Sequence, residues 1–64
     1  MMRLRQLRKE AGLTQEKLAK ELGLKRAAYD HYESGIREPS VKTLIDIANY
    51  YKTSIDYIVM REGA

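Results

Sequence analysis

The chain has 64 residues, a third of them charged, no cysteine and a formal net charge of +3. That length makes one domain, and a domain this small buries only about 60% of the surface its unfolded chain exposes. The lack of cysteine excludes disulfides, thiolate metal sites and thiol nucleophiles; no apolar run nears the roughly 20 residues that cross a bilayer, and residues 1–13 alternate apolar and basic side chains rather than forming a signal peptide.

Charge is unevenly placed. Residues 1–26 hold eight Lys or Arg against three Glu, a balance of +5, while residues 27–64 hold four Lys or Arg against six acidic residues, −2. Such asymmetry suits a polyanion partner, but a scattered solvated surface produces it equally well.

A first helix is predicted over Met2–Ala11, where Leu4, Leu7, Arg8 and Ala11 recur at spacings of three and four. Gly12 suits the position just past its end. Thr14 is placed to cap a second helix, Gln15–Leu22, its hydroxyl accepting an unpaired first-turn N–H. Lys17 stands where a reciprocal capping box needs Glu or Gln. Leu18, Ala19 and Leu22 form the apolar face, and Gly23 breaks the pattern. A third helix, Lys25–Ser34, follows almost at once, with Ala28, Tyr29 and Tyr32 inward and Gly35 at its end. Two short helices joined by a tight turn containing Gly form a helix-turn-helix, a unit able to push its second helix into the major groove of DNA.

In the next loop Pro39 lacks an N–H and drives Glu38 toward extended geometry. Ser40 then caps a fourth helix, Val41–Tyr51, with Val41, Leu44, Ile47, Ala48 and Tyr51 inward. Ser54 caps a last helix, Ile55–Met60, with Ile55 and Ile58 inward, and residues 61–64 are expected to fray. No strand alternation, internal repeat or linker interrupts this series. The expected fold is all-α, a five-helix domain spanning residues 1–64.

Catalytic chemistry has little to stand on. The chain has one histidine, no cysteine and no Gly-rich phosphate loop. Its carboxylates fall in helical surface phases, so the expectation is a protein that is not an enzyme, with no cofactor and no metal. Five tyrosines suggest stacking on single-stranded bases. Tyr29, Tyr32 and Tyr51, however, occupy core phases, leaving Tyr50 and Tyr57 the more exposed pair.

Three runs carry a resemblance: Leu13-Thr14-Gln15-Glu16-Lys17-Leu18-Ala19, then Leu22-Gly23-Leu24, then Tyr32-Glu33-Ser34-Gly35-Ile36-Arg37-Glu38-Pro39-Ser40. With Leu44, Ile47-Ala48 and Ser54-Ile55-Asp56 in the later helices, residues 3–59 resemble the helix-turn-helix domain of phage repressors of the Cro and cI type and their XRE-like relatives, whose fold is lambda-repressor-like. The third helix departs from that pattern. Lys25, Arg26, Ala27 and Ala28 stand where the family favours Ser or Thr, and Tyr29 replaces a mid-helix aliphatic residue.

With Tyr29 and Tyr32 inward, the 100° helical step turns Arg26, Ala27, Asp30 and His31 outward. The resemblance makes Lys25–Ser34 the recognition helix and implies base contacts from Arg26, Ala27 and His31. Arg26 suits guanine O6 and N7, Ala27 a thymine methyl, and His31 a base edge. Asp30 stays open between repelling phosphate and accepting from cytosine N4. Phosphate contacts are expected from Gln15, Lys25, Ser34 and Arg37, with the free N–H groups of the second helix's first turn supporting Gln15. The family also pairs a helix-1 Arg with a Glu, here Arg8 and Glu33, as a structural fork. Tyr57, Val59 and Met60 are the expected dimer surface.

These readings imply a sequence-specific double-stranded DNA-binding transcriptional regulator, a repressor occupying a palindromic operator as a homodimer, in the cytoplasm of a bacterial or phage-infected cell and without a membrane partner. The rival is a protein-interaction module, antitoxin- or adaptor-like, on the same fold. Ala27 and Ala28, small and apolar where polar readers often stand, favour it.

Overall fold

Three hydroxyls set the starts of three helices in the computed structural model, which describes residues 2–61. Thr14 Oγ1 accepts from the Lys17 N–H at 3.0 Å, Ser40 Oγ from Thr43 at 3.2 Å and Ser54 Oγ from Tyr57 at 3.0 Å. Each satisfies a donor that has no intrahelical partner, a contribution of about 0.5–2 kcal/mol. The elements are α1 (Leu4–Glu10), α2 (Gln15–Glu21), α3 (Arg26–Ser34), α4 (Val41–Tyr51) and α5 (Ile55–Ile58), with no strand among the described residues. Gly35 closes α3 in the left-handed region, at φ 83°.

Several expectations need correction. The first helix starts at Leu4 rather than Met2: Arg3 is its N-cap, with ψ at 21°, outside the helical range, and its N–H donates to Ile58 O at 2.8 Å. Ala11 caps its end and is exposed. The last helix stops at Ile58: Val59 is its C-cap and Met60 turns left-handed at φ 64°. Arg61, expected to fray, is tied back by its N–H, which donates to Asp56 O at 2.8 Å; residues 62–64 lie outside the described residues. Val41 is 70% exposed. The inward face of α4 centres on Leu44, Ile47, Ala48 and Tyr51, and the helical step leaves Val41 at its margin. Ala28 is likewise only half-buried, and Tyr29 is the one fully buried residue of α3.

The core has two parts. Leu4, Ile47, Ala48 and Ile58 knit α1, α4 and α5 together. Leu18, Ala19 and Tyr29 join α2 to α3. Leu22, Tyr32 and Tyr51 pack against both and form the seam between them. The helix-turn-helix is thus held as one packed pair upon a three-helix base.

Candidate nucleic-acid interface

The helix-turn-helix is fixed by a single carboxylate. Glu33, near the end of α3, has a fully buried side chain. Arg8 of α1 donates to it through Nε at 2.6 Å and a terminal nitrogen at 3.2 Å. The other terminal nitrogen of Arg8 donates to Leu13 O at 2.8 Å, so one guanidinium ties α1, the α1–α2 turn and α3. Gln15 adds a bond from α2, Nε2 to Glu33 Oε1 at 3.2 Å, and exposed Arg5 reaches the same oxygen at 3.5 Å. Burial alone would push the Glu33 carboxyl up. The hydrogen bonds from Arg8 and Gln15, with the Arg8 charge, outweigh it and hold the group down at about 2.

Tyr29 lies one turn before Glu33 and couples to it electrostatically, yet its buried hydroxyl has no hydrogen bond of good geometry; neither has that of Tyr51. Burial raises both phenols, Tyr51 to about 12 and Tyr29 further.

This framework leaves one side of α3 open. Arg26, Ala27, Asp30 and Ser34 are exposed and His31 is half-buried, so the residues expected at base edges share a face. Lys25, the N-cap, and Arg37, after the helix, are exposed at its two ends, and the Arg37 N–H donates to His31 O at 3.2 Å. Ser34 Oγ donates to the same carbonyl at 3.3 Å. An open hollow lined by Arg8, Thr14, Gln15, Glu16 and Arg26 lies where α2 begins beside α3.

Gln15, expected at a phosphate, turns its side-chain amide toward α3. Its amide nitrogen donates to Asp30 Oδ1 at 3.0 Å as well as to Glu33, a link between α2 and α3 that sequence spacing does not signal. The N-terminal positive charge also has inward uses. Arg5 and Arg8 serve Glu33, and the Arg3 guanidinium lies 4.2 Å from the Tyr57 ring centre and donates to Tyr57 O at 2.7 Å. Tyr57 is half-buried under that contact, Val59 packs partly on the core, and Met60 is 50% exposed.

A family profile described as helix-turn-helix matches residues 4–58. The chain belongs to that helix-turn-helix family. Among similar proteins, the uncharacterized HTH-type transcriptional regulator YqaE of Bacillus subtilis is 48% identical over 60 residues, 94% of this chain and 52% of its own length. The cryptic phage CTXphi transcriptional repressor RstR of Vibrio cholerae is 37% identical over 59 residues, 92% of this chain and 53% of its own length. A transcriptional regulator from Listeria innocua of known crystal structure superposes with a TM-score of 0.83 at 35% identity, covering 89% of this chain and 53% of that one. The chain therefore spans about half the length of each of these three relatives. Among the described residues no helix is long and apolar enough to cross a membrane, and no cluster of His, Cys, Asp or Glu is arranged to hold a metal.

Proposed function

We propose that the chain reads double-stranded DNA as the binding unit of a transcriptional regulator. The observation that carries this reading is the open face of α3, backed by α2 and by the Glu33 network, in a family whose relatives bear regulator names. Arg26, Ala27 and His31 meet base edges, and Lys25, Ser34 and Arg37 meet phosphates on either side. Gln15 joins the phosphate contacts through the backbone N–H groups of the first turn of α2, because its side-chain donors face α3.

One recognition helix covers only a few base pairs, so we propose a homodimer on a palindromic operator, with two copies of α3 about 34–36 Å apart. The pairing surface is the end of α5, where Met60 is the most exposed apolar side chain beside Tyr57 and Val59. Repression by occupancy is the proposed mode, supported by the likeness to RstR, with action in the cytoplasm.

Binding to mixed duplex DNA tests the core of this proposal. If a dimer neutralises about 4 to 6 phosphates, log K falls against log salt with a slope near −4 to −5. Absence of binding at low salt, or a flat salt dependence, overturns the DNA reading in favour of an interaction module. The exposed Ile36, Val41 and Ile45 are where such a module would be engaged.

A further inference from the structure

Asp30 sits in the middle of the outward face of α3, one turn after Arg26 and exposed. An untethered carboxylate there would be repelled by phosphate. This one is tethered: Gln15 Nε2 donates to Asp30 Oδ1 at 3.0 Å and to Glu33 Oε1 at 3.2 Å. Both partners are carboxylate oxygens at hydrogen-bond distance, so the amide is oriented with nitrogen toward α3 and oxygen away. Both amide protons are therefore occupied, and none remains for a phosphate oxygen. Glu33 is itself immobilised by Arg8, so the Gln15 amide hangs from a fixed point and fixes Asp30 in turn. Asp30 Oδ2 takes no part in this tether.

We infer that Asp30 is a specificity-determining residue, positioned by Gln15, that accepts a hydrogen bond from cytosine N4 in the major groove. The inference rests on the DNA-binding reading above. Only cytosine N4 and adenine N6 donate into that groove. Adenine sets its N7 acceptor beside N6, which disfavours a carboxylate, whereas cytosine offers its amino group without an adjacent acceptor. Gln15 acts on this contact through Asp30 and touches no base itself.

Selection of bound sites from random duplexes, with the full chain and with the D30A, Q15A and double variants, tests this. Wild type is expected to prefer a G·C pair at one half-site position by about tenfold, the discrimination of one good base contact. Asp30→Ala abolishes that preference and no other. Gln15→Ala weakens it at the same position, and in the D30A background Gln15→Ala changes nothing further there. If Asp30→Ala instead tightens binding to every sequence with all preferences kept, Asp30 is only a repelling charge and the inference is overturned. It is equally overturned if Gln15→Ala weakens all sequences alike with the G·C preference intact. A wild type that selects no sequence overturns the proposed function and this inference together.

Discussion

At Glu33 two opposing effects meet, and the stronger sets the acid stability. Its carboxyl stands at about 2 in the fold against an ordinary 4.5. A depressed carboxyl contributes stability that is present above the unfolded value and is lost as pH falls through the folded one. The window is therefore from about pH 4.5 down to about 2, with roughly 3 kcal/mol at stake by linkage. Urea midpoints at pH 5 and pH 2 are expected to fall further for wild type than for Glu33→Gln; equal falls would mean the carboxyl is not held down. Removing Arg8 or Glu33 alone leaves a buried charge uncompensated and costs about 3–5 kcal/mol. A double-mutant cycle reads their coupling, and a value near zero contradicts the fork. The buried tyrosines work with the opposite sign. Burial raises Tyr29 and Tyr51, so their contribution is full below the ordinary value of 10 and is lost as pH rises beyond it. In an alkaline titration followed by phenolate absorbance, Tyr29 and Tyr51 are expected to ionise above 10; five tyrosines ionising together near pH 10 would deny their burial.

Along the elements, the sequence announces beginnings better than ends. Thr14, Ser40 and Ser54 mark helix starts because a hydroxyl cap is a local event, decided within four residues. Gly35 marks a stop for an equally local reason, since at φ 83° a side chain is strained. Gly35→Ala is expected to cost about 1 kcal/mol, which lowers the melting midpoint of a domain this size by about 4–8 °C. An unchanged midpoint contradicts the left-handed assignment. The start of α1 and the end of α5 are read too generously from sequence, because the backbone leaves helical torsions at Arg3 and at Met60, where no Gly or Pro announces it. Val41 has the right spacing for the core but lies at the margin of the inward face. The residues expected on the open face of α3 follow from helical phase alone. The Gln15–Asp30 link does not, because it depends on how two helices dock, 15 residues apart in the chain. The basic excess of residues 1–26 is also a poor map of the face, since Arg3, Arg5 and Arg8 are engaged within the fold.

For the molecule as a whole, pairing is the open quantity. The domain measures 32 × 23 × 19 Å, a size compatible with the proposed pairing of two copies across one turn of DNA. Arg3 over Tyr57 and the inward packing of Val59 reduce the apolar patch, and pairing is expected to strengthen on DNA. Sedimentation with and without a palindromic duplex checks this. Met60→Lys is expected to lower the fraction of two-copy complexes; a variant that pairs as well as wild type moves the interface elsewhere. The divided core bears on how the domain comes apart. Among the described residues Leu22, Tyr32 and Tyr51 alone pack on both clusters, so together with the Arg8–Glu33 fork they couple the two parts in unfolding. Trimming Tyr32 to Ala is expected to split one melting transition into two. Amide exchange would then separate the α2–α3 pair, which opens first, from a base of α1, α4 and α5 that outlasts it. On that account the pair proposed to read a duplex is a separable foldon, and the three seam residues with the Arg8–Glu33 fork determine how often it is present.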